Sequence, residues 1–203
     1  MKEFALFLLL VIVTFSSHAQ KNEVKTRKSE IGITFSSFGK NDVFRDQELI
    51  GAASYNADKF FTLGVNYLYK LNKTFNIESG IEYSNQQIII KPNLPPQYDN
   101  SPYGARFSVI DIPVALRVNF LKYCFINGGL LFAFDPGISN PVDSQTGIGS
   151  IVGLGIKYEF NSGYSVFVNP YFKGYSLLPF SGGENHQKLW ENGFRFGVMF
   201  KLK

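Results

Sequence analysis

The sequence predicts an all-β fold, an eight-stranded antiparallel up-and-down barrel, and three observations support this fold class. Apolar residues alternate with polar or small residues in one segment after another, at the period of 2 that strands require. Short turns and long loops rich in proline and glycine join these segments in strict alternation. Glycine (19 residues) and aromatic residues (16%) are abundant, and few segments have the spacing of an amphipathic helix.

The clearest strand pattern lies in residues 110–134, on either side of a tight turn at 120–123. Before the turn, one face is apolar throughout: Ile110, Ile112, Val114, Leu116, Val118 and Phe120. The other face is polar or small, and includes one proline: Asp111, Pro113, Ala115, Arg117 and Asn119. After the turn, Cys124, Ile126, Leu130, Phe132 and Phe134 share one face, with Asn127, Gly129 and Ala133 on the other. This pattern predicts a β-hairpin that supplies strands four and five.

The same alternation predicts the remaining six strands, at residues 29–38, 59–71, 75–90, 148–160, 164–173 and 190–202. Short turns follow strands two, four and six, at residues 71–74, 120–123 and 161–163. Long loops follow strands one, three, five and seven, at residues 39–58, 91–104, 135–147 and 174–189. All short connections therefore lie at one end of the sheet and all long ones at the other, which is typical of an up-and-down barrel.

The first residues of the chain indicate export. Lys2 supplies a positive charge, residues 4–15 are apolar apart from Thr14, and Ser17-His18-Ala19 resembles a cleavage site with small residues. We therefore predict a signal peptide at residues 1–19, a polar lead-in at 20–28 and one barrel domain at 29–203. A membrane anchor is the alternative, but this apolar run is shorter than the ~20 residues that a spanning helix needs.

Charge and cysteine content exclude some functions. The net charge of +4 is mild and scattered along the chain, which argues against a nucleic-acid partner. The single cysteine, Cys124, cannot form an internal disulfide and is interpreted as a small apolar residue of the barrel wall. The sequence has no histidine or cysteine pair with metal-ligand spacing, so we expect neither a metal nor another cofactor.

Three features predict that the apolar face meets lipid, as in a transmembrane barrel. The opposite face is rich in glycine, as the narrow interior of eight strands requires. Its few charges are of mixed sign and suited to pairing across a lumen: Glu78, Glu82, Asp111, Arg117, Lys157, Glu159 and Arg195. Aromatic residues occur near strand ends, where girdles meet headgroups: Tyr67, Tyr69, Tyr83, Tyr123, Tyr158, Phe160, Tyr164 and Trp190. The alternative is a soluble, lipocalin-like barrel that binds an apolar ligand inside.

Two further expectations concern the strands. The lumen charges are predicted to form a paired network that fills the barrel, because eight strands enclose no wide channel. Pro113 and Pro170 lie within strands and cannot donate to a ladder, so we expect a β-bulge there or a strand that outruns its neighbour. An even number of strands places both ends of the mature chain on the short-turn side, which is the periplasmic side of such barrels.

Several strand and turn blocks resemble the outer-membrane β-barrel domain of PorT-like proteins. The blocks are Phe61–Val65, Leu71–Phe75, Gly80–Ser84, Ile112-Pro113 with Leu116-Arg117, Asn127–Gly129, Gly153–Gly155 and Gly197–Phe200. This resemblance covers most of residues 59–202 and implies a compact barrel in the outer membrane of a diderm bacterium. In that family an isoleucine–proline pair opens the fourth strand. The end Lys201-Leu202-Lys203 departs from the terminal aromatic residue of many outer-membrane barrels.

The expected function is that of a small non-enzymatic barrel with an envelope, secretion-accessory or surface-interaction role. Outer-membrane lipids are its expected surroundings, and the loops at 91–104 and 174–189 are the predicted contact sites for other envelope or secretion proteins. A lipid-modifying enzyme is a further alternative, for which His186 beside Ser181 and Glu184 would have to act. Three such residues within six positions of one glycine-rich loop cannot easily form a catalytic triad.

Overall fold

The computed structural model describes residues 29–45, 53–137, 140–181 and 185–202, so the predicted signal peptide (1–19) and lead-in (20–28) lie outside the described residues. Eight strands follow in order: β1 (Ser29–Phe44), β2 (Ser54–Lys70), β3 (Phe75–Lys91), β4 (Tyr103–Phe120), β5 (Cys124–Phe134), β6 (Gly147–Glu159), β7 (Tyr164–Pro179) and β8 (Lys188–Lys201). Each strand is antiparallel to the next, and β1 pairs with β8 to close the barrel. The predicted eight-stranded antiparallel up-and-down barrel is confirmed. Within the described ranges, no helix is long and apolar enough to cross a membrane.

The short connections lie at one end of the barrel, called here the short-turn end, at residues 71–74, 121–123 and 160–163. The turn after β2 is held by its own asparagine, because the backbone N–H groups of Thr74 and Phe75 both donate to Asn72 Oδ1 at 2.8 Å. In the turn after β6, Gly163 has a φ of 93°, which favours glycine. The other four junctions, β1 to β2, β3 to β4, β5 to β6 and β7 to β8, lie at the opposite end of the strands, called here the loop end.

Several strands extend further toward the loop end than the sequence predicts. β1 continues to Phe44 against β8 and β2 begins at Ser54, so both ends of the predicted loop at 39–58 belong to strands. β7 likewise continues to Pro179 and β8 begins at Lys188, so both ends of the predicted loop at 174–189 belong to strands. Polar composition predicted loops here, but pairing with distant strands satisfies the backbone and overrides local propensity. The predicted bounds of β5 agree with the structure.

The two faces of the sheet point as the lipid-facing prediction requires. Side chains of the apolar face lie on the outside, where Leu63 is 48%, Leu154 56% and Phe196 38% exposed. Gly153 and Arg117, on the other face, are buried inside the barrel. A lipocalin-like barrel has the opposite arrangement, with its apolar face directed inward around a ligand.

Neither in-strand proline lies in a β-bulge, and at neither does the strand outrun its neighbour, so both alternatives of that expectation are wrong. Beside Pro113, the β3–β4 ladder is interrupted between the pairs Ser79↔Val114 and Glu82↔Asp111, and it resumes in the same register. Beside Pro170, the β6–β7 ladder is interrupted in the same way, while Pro170 remains opposite Phe194 of β8. Proline has no backbone N–H to donate, so each strand has a short gap in one ladder, and the alternation of faces continues unchanged on both sides of the gap.

The interior of the barrel has three layers. A hydrophobic cluster lies toward the loop end, with Val43, Ile88, Ile90, Phe107, Val109, Leu131, Ala133, Val142, Tyr175 and Leu189. A layer of buried charged and polar residues occupies the middle of the barrel. A second hydrophobic cluster closes the short-turn side, with Leu68, Phe125, Phe167 and Met199. Packed side chains therefore fill the interior at both ends.

Candidate functional site

The buried charges in the middle layer form the candidate site, and strand alternation places them there. Glu78 and Glu82 lie four positions apart on β3, so both point inward, as Asp111 and Arg117 do on β4. β7 contributes Lys173, and β8 contributes Glu191 and Arg195. All seven side chains belong to residues that are no more than 2% exposed.

Two arginines converge on one carboxylate at the short-turn side of this layer. Glu78 Oε2 lies 2.7 Å from Arg117 Nη2 and accepts a hydrogen bond of 2.9 Å from Arg117 Nε. Its other oxygen, Oε1, lies 2.7 Å from Arg195 Nη2. Arg195 Nη2 also donates to Asn169 Oδ1 at 3.0 Å. Both carboxylate oxygens of Glu78 are therefore paired with guanidinium groups, which hold them in fixed positions.

Lys173 connects two further carboxylates in the centre of the lumen. Its Nζ lies 2.6 Å from Glu82 Oε2 and 3.2 Å from Asp111 Oδ2. Arg195 Nη1 reaches the second oxygen of Glu82 at 3.3 Å, and Asn66 Nδ2 donates to that same oxygen at 3.2 Å. The ion pairs thus form one continuous network from β3 and β4 to β7 and β8.

Glu191 differs from the other carboxylates because the described groups that hydrogen-bond to it are uncharged. Tyr171 OH donates to its Oε1 at 2.6 Å, and Tyr175 OH and Ser84 Oγ lie 3.4 and 3.3 Å from its Oε2. Gln86 Nε2 donates to Oε2 as well. In the layer as a whole, three cations face four carboxylates, an excess of one formal negative charge that these neutral donors help to stabilise.

The aromatic cluster at the short-turn side packs directly against the charges. The guanidinium of Arg117 lies over the Phe125 ring at 4.1 Å and over the Phe167 ring at 4.9 Å from their centroids. The two rings meet edge to face at 5.9 Å. Gly155 and Gly197 lie beside these rings, and a Cβ at either position would overlap a phenylalanine side chain. Glycine is therefore required on the inward face here to admit the large rings.

Five of the predicted lumen residues lie together in this network, namely Glu78, Glu82, Asp111, Arg117 and Arg195. The other two, Lys157 and Glu159, lie at the rim of the short-turn end, and placing them in the lumen network was wrong. There Glu159 pairs with Lys157 at 3.0 Å and with Lys201 at 2.9 Å, and its side chain is 34% exposed. Both residues come at the end of β6, where alternation alone does not distinguish the rim from the lumen.

The sequence prediction missed Lys173, Glu191 and Glu30 as buried charges. Glu30 is 3% exposed and its Oε1 lies 2.6 Å from Lys70 Nζ at the short-turn rim. The signal that could have identified Lys173 is the inward phase of β7, which runs through Ser165, Phe167, Asn169 and Tyr171 to Lys173. The prediction assigned no residue of strand seven to either face, so Lys173 was not placed inside the barrel.

His186 lies in a different environment from the one considered for an enzyme. Its Nε2 is 3.3 Å from Ser176 Oγ, and both residues are buried. Ser176 has a φ of 49°, within the register shift between β6 and β7. Glu184 lies outside the described residues. Across the described part of the chain, no group of three or more His, Cys, Asp and Glu residues could hold a metal ion.

Aromatic side chains lie on the outer wall near both ends of the strands. At the short-turn end, Tyr158 packs against Tyr123 with centroids 6.0 Å apart, and Phe160 contacts Tyr158 at 4.8 Å and Tyr164 at 4.3 Å. Toward the loop end, Trp190 packs between Phe172 at 4.6 Å and Phe44 at 5.2 Å. Rows of this kind are typical of barrels whose apolar band is flanked by polar headgroups.

Two solved structures that align with this chain are of outer-membrane proteins. OprG from Pseudomonas aeruginosa aligns with a TM-score of 0.51 and 14% identity, over 89% of this chain and 100% of that chain. AlkL, determined by solid-state NMR in DMPC lipid bilayers, aligns with a TM-score of 0.52 and 10% identity, over 92% of this chain and 96% of that chain. At this level of identity the likeness establishes a shared fold. No family model matches the chain, and no curated protein matches it in sequence.

Proposed function

We propose that this chain is a small, non-enzymatic integral outer-membrane barrel of the PorT-like kind, with a structural, secretion-accessory or surface-interaction role in the envelope. The observation that carries the proposal is the reversed polarity of the barrel wall. Large apolar side chains cover the outside, while ion pairs and hydrogen bonds fill the inside. Such a barrel pairs its backbone groups internally and can stand in hydrocarbon without an exposed strand edge.

Extraction of cell envelopes tests this location. Outer-membrane insertion requires that the protein stay in the membrane pellet through high salt and alkaline washes, and that it dissolve only with detergent. The competing soluble barrel would leave the pellet in aqueous buffer. Release into aqueous buffer would contradict the proposal, independently of any result on the loops.

A structural role, rather than a pore, is supported by the packing of the lumen. The charged layer lies between two hydrophobic clusters, and Leu131 and Phe125, one from each cluster, are fully buried. In planar bilayers the purified protein is therefore expected to give no conductance steps of the size seen with large porins. Porin-sized steps would contradict a filled lumen.

The proposed orientation places the loops outside the cell and both chain ends in the periplasm. The first and last described strands, β1 and β8, begin and end at the short-turn end. Protease added to intact cells should therefore cleave a site engineered into the loop at 92–102 and spare one engineered at the turn 71–74. Cleavage only at the site engineered at 71–74 would mean that the orientation is opposite to the proposed one.

The loop between β3 and β4 is the part of the loop end best suited to bind a protein. Asn100 orders it, because its Oδ1 accepts from Leu94 N at 2.8 Å and its Nδ2 donates to Leu94 O at 3.0 Å. Leu94 and Tyr98 are 48% and 59% exposed on this ordered loop, and exposed apolar side chains on a rigid support are common in binding sites. Replacing the loop by a short glycine-serine turn should leave folding intact and change any binding phenotype.

A catalytic role for His186 is tested separately. We propose that the Ser176–His186 pair is structural, because both residues are buried and the imidazole lies within hydrogen-bond distance of the hydroxyl. The change His186→Ala should leave any lipid-hydrolysing activity of membrane preparations at its original level. Loss of such an activity would support the enzyme alternative.

A further inference from the structure

A cleft opens in the outer wall of the barrel where β1 and β2 separate. Their ladder ends toward the loop end at the pair Ser36↔Thr62. Beyond this pair β1 follows β8 and β2 follows β3, and both strands shift register, at Ser37/Lys40 in β1 and at Ala57/Phe60 in β2. Such irregularities bend a strand away from its neighbour, so they account for the gap.

Side chains close the cleft on its inner side. Asn41 is buried and donates from Nδ2 to Lys59 O at 3.2 Å, while Asp58 N donates to Asn41 Oδ1 at 3.0 Å. Ser37 Oγ donates to Phe60 O at 3.3 Å. These bonds replace part of the lost ladder and separate the cleft from the lumen. What remains is an outward-facing cavity of about 520 Å³.

The lining of the cleft is apolar on one side and basic on the other. Phe38 and Phe61 are 71% and 45% exposed, and both rings lie on the outer surface of the barrel. Lys59 and Arg106 bring two positive charges, accompanied by the amides of Asn85 and Gln87. Among the described residues, no carboxylate lines this cavity. Gln87 Oε1 accepts from Arg106 Nε at 3.1 Å, which fixes the direction of the guanidinium.

The backbone of β1 is strained at the edge of this cleft. Phe38 has a φ of 54°, a conformation that a large side chain rarely adopts. The next residue, Gly39, has no room for a side chain, because a Cβ there would overlap the backbone of Asn192. The Phe38 ring contacts Phe196 edge to face at 6.2 Å on the outer wall. Strain of this kind is commonly found at ligand sites.

The position of the cleft along the strands indicates the depth in the membrane at which a ligand would bind. On β2 the outward side chains below it are apolar, from Phe61 through Leu63 and Val65 to Tyr67. The next outward side chain toward the loop end is Lys59, so the cleft crosses the boundary between the apolar band and the polar loop end. In a membrane this boundary lies at the level of the headgroups.

We propose that this cleft binds a lipid of the outer leaflet through a phosphate group on its headgroup. Lys59 and Arg106 pair with the phosphate oxygens, Asn85 and Gln87 donate amide hydrogen bonds, and acyl chains lie along Phe38 and Phe61. The choice of the outer leaflet rests on the proposed outer-membrane location with the loops outside. The two basic side chains and the apolar rings together select an anionic amphiphile over a free anion or a neutral lipid.

The test uses the full-length protein in phosphatidylcholine nanodiscs with added diphosphorylated lipid A as the probe. The variant K59Q/R106Q removes both charges of the cleft, and the matched control K73Q/K122Q removes two exposed lysines at the short-turn end. We expect K59Q/R106Q to weaken lipid A binding roughly tenfold or more, since each basic residue near a membrane surface contributes appreciably to binding an anionic lipid. The control variant should bind as the unchanged protein does.

Two further binding experiments test whether the bound phosphate belongs to a lipid headgroup or is free phosphate. Dephosphorylated lipid A should bind at least as weakly to the unchanged protein as lipid A binds to K59Q/R106Q. Inorganic phosphate at millimolar concentration should leave lipid A bound. Three results would each overturn the proposal. They are equal lipid A binding by K59Q/R106Q and K73Q/K122Q, undiminished binding of dephosphorylated lipid A to the unchanged protein, and displacement of lipid A by inorganic phosphate. Insertion of the unchanged protein into nanodiscs without lipid A reports on the membrane-barrel proposal separately.

Discussion

Arg117 joins the charged layer of the lumen to the aromatic cluster beneath it. One edge of its guanidinium pairs with Glu78, and its flat face covers Phe125. A lysine could not replace it, because an ammonium group cannot offer two parallel donors and stack on a ring at the same time. The side chain thus satisfies a buried carboxylate and also contributes packing to an apolar layer.

Lys173 is the residue whose loss should disturb the network most directly. The change Lys173→Met keeps an unbranched side chain one atom shorter than lysine but leaves Glu82 and Asp111 without their shared cation. We expect the free energy of unfolding to fall by about 3–5 kcal/mol, because a buried charge without its partner is costly. Urea unfolding in detergent micelles, followed by tyrosine and tryptophan fluorescence, measures the change.

The exposed turn residue Lys122 provides the control for this experiment. The change Lys122→Met removes the same charge from a fully exposed position, where a substitution alters stability by about 0.5 kcal/mol or less. Similar unfolding midpoints for the two variants would show that the central ion pairs contribute little.

Strand phase explains why the sequence could predict some site residues but not others. Asp111 and Arg117 are six positions apart on one strand, so both had to face the same way. Phe125 and Leu131 also fall on the inward face of β5, but the prediction named only Asn127, Gly129 and Ala133 among the residues of that face. Alternation shows which way a side chain points, whereas its height in the barrel depends on strand tilt and on neighbouring side chains.

At the level of the strands, inward glycines and inward aromatic rings form complementary pairs. Gly155 of β6 faces the Phe125 ring, and Gly197 of β8 faces the Phe167 ring. Glycine in a strand interior usually weakens the strand, so its use here reflects the need for space inside eight strands. The glycine-rich face was visible in the sequence, but the rings that occupy the space were not assigned to it.

The change Gly155→Val tests this pairing. The added methyl groups would overlap the Phe125 ring, so we expect the free energy of unfolding to fall by about 1–3 kcal/mol. The matched control is Gly104→Val in β4, where a Cβ would meet only Gln87 Nε2 at 3.8 Å. A comparison of urea unfolding midpoints distinguishes the two sites, and an equal loss at both would argue against a steric requirement.

The loop ends of β1 and β7 show where prediction by composition fails. Residues 39–44 contain glycine, asparagine and aspartate, which predict a loop, yet Asp42 pairs with Trp190 of β8. In β7, Lys173 is followed by a register shift in which Tyr175 and Ser176 are both buried. The partners that determine these conformations lie far away in sequence, so a local pattern could not reveal them.

For the whole molecule, the consequence of the polarity pattern is a barrel whose lumen is filled by packed side chains. Its outer wall is apolar between two aromatic rows, and its interior is a charged layer closed by hydrophobic clusters on both sides. The fold class followed from period-2 alternation and from the order of short and long connections. The closure of the lumen could not be predicted in the same way, because it depends on which strands face each other across the barrel.

The single tryptophan allows the placement of the whole barrel in a bilayer to be measured. Trp190 lies toward the loop end between Phe44 and Phe172, so lipids with a quencher near the headgroup should reduce its fluorescence more than lipids with a quencher at the chain ends. Val65 is 53% exposed in the middle of the apolar band on β2. In the variant Trp190→Phe with Val65→Trp, the order of quenching should reverse. The same quenching order in both proteins would mean that the band between the aromatic rows does not span the hydrocarbon core, and no quenching in either would place the apolar wall outside lipid altogether.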